Sequence, residues 1–158
     1  MTILASINLN KRINSQTARA RLSRWLERNR VQVLLAQEPS RTQTGLGVGL
    51  VGWAPVGGND KVFAWIDSRL ELPRYELIEK FWQRIELEYL VVHNVYLDAY
   101  HQRVRAAQLE QIQLAIMDEG DRPTVIVGDF NIAPHPVDGL IDGQISGFNS
   151  EVDREPLR

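Results

Sequence analysis

The sequence predicts a protein of the α/β class, and three observations favour this class. Short apolar runs typical of buried strands recur along the chain, as at 31–38 and 123–128. Two longer stretches carry apolar residues at helical spacing, and each lies between two strand-like runs. The chain therefore opens as strand, helix, strand, which is typical of an α/β sandwich. A length of 158 residues predicts a single domain over 1–158.

The first elements follow from local patterns. Residues 2–9 are β-branched and apolar, which predicts a strand. Asn14 or Ser15 can cap the helix that follows. The apolar stripe of that helix, whose last two members we expect in the core, consists of Ala18, Leu22, Trp25 and Leu26. The apolar run at 31–38 is stopped by a proline, and it predicts a buried second strand.

The later elements alternate in the same way. A glycine-rich connection over 42–59 leads to strand-like runs at 61–66, around 76–90 and at 90–97. A second helix is predicted from Asp98 to Met117, and the strand at 123–128 comes after it. Prolines and glycines then mark a long loop. A capping-box pattern at Ser150 predicts a third helix.

Composition excludes several classes of protein. The chain has no cysteine, which rules out a disulfide framework, a thiolate nucleophile and cysteine-ligated zinc. The longest uncharged stretch, 42–59, contains six glycines and a proline, so it does not predict a membrane span. No leader-like segment opens the chain. We therefore expect a cytoplasmic protein without a membrane partner.

Charge is distributed unevenly along the chain. Residues 1–41 hold eight basic and two acidic residues, whereas residues 118–158 hold nine acidic and three basic ones. Fifteen of the eighteen cations are arginine, which suits bidentate contacts with phosphate. A solvated basic helix face would explain the basic part, and so would a polyanionic substrate that approaches a metal site. Charge alone leaves both interpretations open.

Polar side chains follow four of the predicted strands at the point where each strand ends. The segments are Asn8-Leu9-Asn10, Gln37-Glu38, Asn94-Val95-Tyr96 and Gly128-Asp129-Phe130-Asn131. Any one of them also fits an ordinary turn or a solvated strand end. In α/β sheets, however, functional sites are built at the carboxyl ends of strands. Their order and their shared placement together predict a site.

In this order the segments resemble the endonuclease/exonuclease/phosphatase superfamily, and within it the exonuclease III and AP-endonuclease branch. That family shows Asn-x-Asn, Gln-Glu, a strand-end tyrosine and Gly-Asp-x-Asn at these four positions. The Gln-Glu-Pro and Tyr-Leu versions also occur in endonuclease domains of non-LTR retrotransposons, which leaves the branch open. The resemblance spans the whole chain. It implies the N-terminal part of a four-layer α/β sandwich, in which two β-sheets are flanked by helices.

The resemblance also implies a chemistry. Hydrolysis of a phosphodiester needs a cation to neutralise charge, a nucleophilic water and stabilisation of the leaving oxygen. Glu38 and Asn10 would hold Mg²⁺ (or Mn²⁺), and a carboxylate is the hard ligand that this ion prefers. Asp129 would orient or deprotonate the water. The other catalytic residues implied are Asn131, Tyr96 and Asn8.

Two arginines open the second predicted helix. Relatives often place a cation against nucleic acid here, so the resemblance implies that Arg103 and Arg105 contact DNA. Solvated helix charges would explain both residues equally well.

The sequence departs from the family in one respect. The closing Ser-Asp-His of the family, and a further aspartate before it, have no counterpart here. We therefore expect an incomplete sandwich with only about its first sheet, whose bare apolar face would require self-association or a complementing chain.

The function predicted is that of a Mg²⁺-dependent phosphodiesterase acting on DNA, weak or inactive as a 158-residue chain. One alternative is an inactive relative that binds nucleic acid or a partner chain through its basic first helix. A phosphatase of the same superfamily is another. It is disfavoured because Tyr96 stands where those branches tend to use histidine.

Overall fold

The computed structural model describes residues 2–39 and 49–132, together with the two-residue strands at 140–141 and 144–145. The two helices are α1 (Gln16–Arg28) and α2 (Gln102–Asp118). The strands are β1 (Leu4–Asn8), β2 (Val33–Gln37), β3 (Trp53–Gly58), β4 (Val62–Asp67), β5 (Arg74–Glu79), β6 (Trp82–Glu86), β7 (Val91–Tyr96), β8 (Thr124–Asp129), β9 (Leu140–Ile141) and β10 (Gln144–Ile145). The third helix predicted from Ser150 lies outside the described residues.

The chain divides into two compact units. The first unit consists of residues 1–96 and 122–129 and contains β1 to β8 and α1. The second unit consists of residues 97–121 and 130–158 and contains α2 and the antiparallel pair of β9 and β10.

Two four-stranded mixed sheets form the first unit. Their strand orders are β1-β2-β4-β3 and β5-β6-β7-β8. The pairs β1/β2 and β7/β8 are parallel, and the remaining pairs are antiparallel. The α/β class and the two-sheet architecture are confirmed. The expectation that the chain encodes only one sheet is wrong, because the second sheet is built from residues 74–129.

Alternate residues of β2 point into two different cores. Val33 and Leu35 pack between the sheets with Ile85 and Val92 of the second sheet. Their neighbours Leu34 and Ala36 pack on the opposite face, in the cluster that contains Leu26 of α1. A strand that is buried on both faces has a continuous apolar sequence, and residues 31–36 of this chain have such a sequence apart from Gln32. The sheet face that was expected to be bare is therefore covered, and the reason for expecting self-association falls away.

Helix α1 begins where its cap predicts. Ser15 is the N-cap, and its hydroxyl oxygen accepts the N–H of Ala18 at 3.1 Å. Leu26 is fully buried, as expected. Trp25 is 46% exposed, so its assignment to the core is wrong. One residue is a rotation of about 100° on a helix, and this turns Trp25 away from the face that packs on the sheet.

Strand β3 was not predicted, because it lies in the segment that the sequence indicates to be a glycine-rich connection. It pairs antiparallel with β4 at the edge of the first sheet, with a bulge between Pro55 and Gly57. An edge strand tolerates proline because one row of its N–H groups faces away from the sheet. A Cβ on Gly57 would lie 2.3 Å from the ring of Tyr75. Gly57 is thus required by its φ of 139° and by the nearby ring, and Pro55 is tolerated at the edge, although both residue types are typical of loops.

Helix α2 starts four residues later than predicted. The carboxylate of Asp98 accepts the N–H groups of Tyr100 and His101, which makes a turn in place of a first helical turn. Burial works against this carboxylate by raising its pKa, but the hydrogen bonds from His101 and Tyr100 outweigh it and hold the pKa of Asp98 below its ordinary value. Within the described part of the chain, no helix combines the length and the apolar character needed to cross a membrane.

Candidate active site

The carboxyl ends of four strands meet at one edge of the sheet sandwich. Asn8 Nδ2 donates to Asp129 Oδ2 at 2.5 Å, which joins the ends of β1 and β8. Gln37 Nε2 donates to Asn94 Oδ1 at 2.7 Å, which joins β2 to β7. Residues from segments far apart in sequence are therefore neighbours, as the strand-end pattern predicts. We call this edge the strand-end site.

Asn8 uses both ends of its amide to organise this edge. Its carbonyl oxygen accepts the N–H of Asn10 at 2.8 Å, and its nitrogen donates to Asp129. The backbone then follows the end of β2, because the N–H of Lys11 donates to the carbonyl of Glu38 at 2.8 Å. Asn8 thereby fixes the orientation of the Asp129 carboxylate.

Glu38 lies directly after β2 and is held in an unusual backbone conformation. Its φ is 48°, and its N–H donates to the carbonyl of Lys61 at 2.9 Å. Its side chain is only 14% exposed, and Oε1 lies 3.6 Å from the ammonium of Lys11. Glu38 is thus a shielded carboxylate with a cation beside it.

Left-handed backbone is concentrated at the predicted site residues. Outside glycine, the described residues with positive φ are Asn10, Lys11, Arg30, Glu38 and Asn131. All but Arg30 belong to the strand-end segments or adjoin them. Such conformations cost on the order of 1–3 kcal/mol, least for asparagine, and they cluster at functional sites. The clustering indicates that these segments are shaped for a role besides stability.

Gly128 explains why the Asp129 segment needs a glycine. Its φ is 145°, and a Cβ there would lie 2.0 Å from the carbonyl oxygen of Val95. Only glycine allows β7 and β8 to approach this closely. The resulting register places Val95 opposite Gly128 and Tyr96 opposite Asp129. Tyr96 and Asp129 are therefore neighbours at the ends of parallel strands.

A buried polar network supports the site from within the sandwich. Gln37, Asn94 and Gln83 are each at most 1% exposed. Besides bonding Gln37, Asn94 donates from Nδ2 to the carbonyl of Phe63 at 3.3 Å, while Gln83 donates to the carbonyl of Gly57 at 2.8 Å. The sequence does signal this network, because each residue is polar at a position where strand alternation predicts an apolar one. Its effect is to tie the two sheets together one or two residues before Glu38 and Tyr96.

Two lysines complete the edge, and sequence reasoning missed both. Lys11 pairs with Glu38, and the ammonium of Lys61 lies 4.5 Å from the centre of the Tyr96 ring. The chain has only three lysines among its eighteen cations. Lys11 reaches Glu38 because β1 and β2 are parallel, and Lys61 reaches the edge because β4 runs antiparallel to β2. No local sequence pattern states either pairing.

The remaining predicted residues belong to the second unit. Asn131 donates from Nδ2 to the carbonyl of Leu97 at 2.8 Å. Arg103 is exposed on the first turn of α2. Arg105 is only 3% exposed, and its guanidinium donates to the carbonyl of Asp98 at 2.7 Å. This burial argues against the DNA contact expected of Arg105, since its guanidinium anchors the turn before the helix.

A metal-binding role for Glu38 is consistent with the donors present. Within the described ranges, no group of three acidic or histidine side chains comes together to hold an ion. Mg²⁺ needs no such cage, because it usually takes one or two carboxylates and completes its shell with waters and substrate phosphate. One shielded carboxylate, Glu38, fits that requirement, and the exposed Asn10 directly precedes Lys11, which pairs with Glu38.

A cavity of about 1130 Å³ lies at the opposite end of the β1–β4 sheet. It is lined by α1, by Ile3 before β1 and by Asp67 at the end of β4, and none of the predicted site residues borders it. The chemistry-bearing side chains are thus located by the strand ends and not by cavity size.

A sequence profile of the endonuclease/exonuclease/phosphatase family matches residues 5–150. No curated protein sequence matches the chain.

Solved structures resemble the chain in fold. An AP endonuclease from Archaeoglobus fulgidus superposes with a TM-score of 0.69 at 20% identity, covering 99% of this chain and 68% of its own. A 3′ phosphatase from Neisseria, bound to a product DNA hairpin, gives 0.72 at 19% identity, covering 99% and 69%. The endonuclease domain of TRAS1, a telomere-specific non-LTR retrotransposon, gives 0.59 at 16% identity, covering 84% and 60%.

Proposed function

Because the chain belongs to the endonuclease/exonuclease/phosphatase family, we propose that it is a metal-dependent phosphodiesterase acting on DNA, of the AP-endonuclease or exonuclease III kind. The observation that carries the proposal is the hydrogen bond of Asn8 to Asp129 at the strand-end site. It orients a carboxylate beside a tyrosine on the neighbouring strand, with Glu38 at the end of the adjoining sheet.

Each residue of the site has a proposed role. Asp129, oriented by Asn8, accepts the proton of the attacking water or orients that water. Tyr96 donates a hydrogen bond to a phosphate oxygen, and Asn131 holds the phosphate. Glu38 and Asn10 hold Mg²⁺ (or Mn²⁺). When bound, the ion neutralises phosphate charge and activates water.

DNA is the proposed substrate for two reasons. The Neisseria neighbour is described with a product DNA hairpin, and the chain carries an exposed arginine at the start of α2. Arg103 is therefore proposed as a contact to the DNA backbone, and buried Arg105 is not.

We expect the 158-residue chain to be a slow catalyst. Its sequence contains no Ser-Asp-His, and it spans 68–69% of the AP endonuclease and 3′ phosphatase neighbours. A general acid–base partner typically contributes about 10²–10⁴-fold to rate. The absence of such a residue would slow turnover without removing the strand-end site.

A substrate panel tests the proposal. The chain is incubated in Mg²⁺ with a duplex containing an abasic site, an undamaged duplex with a recessed 3′ end, and a duplex bearing a 3′ phosphate. We expect strand scission at the abasic site or release of mononucleotides, and neither in EDTA. Release of inorganic phosphate alone would make the protein a phosphatase. DNA binding without any product would make it an inactive relative.

A further inference from the structure

Lys61 reaches the strand-end site from a neighbouring strand. It is the residue before β4, and because β4 runs antiparallel to β2, the start of one lies beside the end of the other. Its carbonyl accepts the N–H of Glu38, and its ammonium lies 4.5 Å from the centre of the Tyr96 ring. Lys61 therefore spans from the first sheet to the end of a strand in the second.

The conformation of Lys61 is built by the turn before it. The side-chain oxygen of Asn59 accepts the N–H groups of Lys61 at 2.8 Å and Val62 at 3.0 Å. The side-chain nitrogen of Asn59 donates to the carbonyl of Lys80, in the β5–β6 turn, at 3.0 Å. The turn is thus fixed to both sheets, so the lysine side chain starts from a determined position.

The ammonium of Lys61 has no carboxylate partner among the residues that the structure describes. Lys61 is half-buried, and in that part of the chain no carboxylate lies within ion-pair distance of it. Lys11, by contrast, pairs with Glu38. The Tyr96 ring offsets part of the cost of burying the charge but takes none of the donors in a conventional hydrogen bond. An ammonium has three donors and no acceptor, and one that pairs with no carboxylate in the described ranges is suited to an oxyanion.

We propose that Lys61 binds a phosphate oxygen of the substrate beside Tyr96. This inference rests on the proposed function, because it takes the anion to be a phosphate of DNA. Tyr96 and Lys61 then form one phosphate-binding pair, with the ring holding the ammonium in place. Lys61 thereby acts as a substrate-binding residue that the strand-end segments do not include.

The salt dependence of DNA binding tests this role. Affinity for a fluorescent duplex is measured by anisotropy over a salt series, in EDTA so that no cleavage occurs. Each phosphate contact contributes about 0.9 to the slope of log affinity against log salt for duplex DNA. We expect Lys61→Met, which keeps the alkyl chain, to reduce this slope by about 0.9. Lys61→Arg should retain it.

Arg74→Gln is the matched control. It removes one exposed positive charge at the start of β5, at the end of the second sheet away from the strand-end site and outside the basic first helix, and should leave the slope unchanged. If the parent binds DNA and Lys61→Met keeps the parental slope with an unchanged melting temperature, the inference is overturned and the proposed function stands. An equal loss in Arg74→Gln also overturns it, because the effect is then one of net charge. If the parent binds no DNA at any salt concentration, the proposed function fails and this inference with it.

Discussion

Asp129 owes its orientation to a partner 121 residues away in sequence. Asn8 donates to one carboxylate oxygen and is itself held by the N–H of Asn10. The polar residues at strand ends predict that Asn8 and Asp129 belong to the site. They do not predict the hydrogen bond between the two side chains, because that bond depends on how the two sheets pack. The same holds for the left-handed backbone at Glu38, which follows from its contacts with Lys11 and Lys61.

Replacing Asp129 by asparagine separates catalysis from binding. Asp129→Asn keeps the shape of the side chain but removes the group that takes the proton of the attacking water. Turnover should fall by about 10²–10⁴-fold, while affinity for DNA in EDTA stays at the parental value. Cleavage is measured under single-turnover conditions and binding by anisotropy.

Asp121→Asn serves as the control for that substitution. Asp121 is exposed and lies three residues before the first residue of β8, whereas Asp129 is the last residue of that strand, so the same chemical change at Asp121 should leave cleavage unaltered. A near-parental rate in Asp129→Asn would remove the proposed role of Asp129.

Buried amide side chains join the two sheets to each other. Asn94 accepts from Gln37 at 2.7 Å, and its own nitrogen faces the carbonyls of Ala36 and Phe63. Gln37 also donates to Ser6, so Asn94→Ala removes the acceptor of only one of its two amide hydrogens, and a buried donor left unsatisfied costs about 1–3 kcal/mol. We expect the free energy of unfolding to fall by at least that amount in denaturant titrations.

Ser6→Ala is the comparison for Asn94→Ala. Ser6 accepts from the same Gln37 amide at 3.2 Å, but Ser6 is exposed, so water can replace it. Its loss should cost no more than about 0.5 kcal/mol. If both variants lower the free energy of unfolding equally, the buried bond between Gln37 and Asn94 contributes no more to stability than the exposed one to Ser6.

Glu86 gives the second sheet a defined acid sensitivity. Its carboxylate accepts hydrogen bonds from Arg84 at 2.8 Å and from Arg122 at 3.1 Å, which joins β6 to the segment before β8. The bond from Arg84 and then that from Arg122 hold the pKa of Glu86 below its ordinary value of 4.5. A depressed pKa means stabilisation that is present above pH 4.5 and lost as pH falls through the folded-state pKa.

Melting temperatures of the parent and Glu86→Gln, followed from neutral pH into the acid range, test this sensitivity. The parent should be the more stable above pH 4.5, and the difference should shrink below it as the carboxylate is protonated. A difference that stays constant over the whole range would show that the two arginine bonds do not depend on the charge of Glu86.

For the whole molecule, the order of elements and the placement of polar groups at strand ends could be predicted from the sequence. The number of sheets could not. Residues 76–90 read as strand-like, but their pairing into a second sheet depends on contacts distant in sequence. Strand β3 could not be predicted, because proline and glycine are typical of loops. Pro55 is tolerated because β3 is an edge strand, and Gly57 is needed because the ring of Tyr75 lies close to its backbone.

We propose that the strand-end site is a metal-dependent phosphodiesterase centre. The most direct measurement is single-turnover cleavage of an abasic duplex by the 158-residue chain as free Mg²⁺ is varied, beside Glu38→Gln. Loss of a residue that only supports a ligand typically costs about 10–100-fold in metal affinity, so loss of the ligand itself should raise the Mg²⁺ requirement by at least about tenfold. We expect slow cleavage that saturates with Mg²⁺ and stops in EDTA, and we expect Glu38→Gln to need at least about tenfold more Mg²⁺ for the same rate. Cleavage that continues undiminished in excess EDTA, or an identical Mg²⁺ dependence in Glu38→Gln, would contradict it.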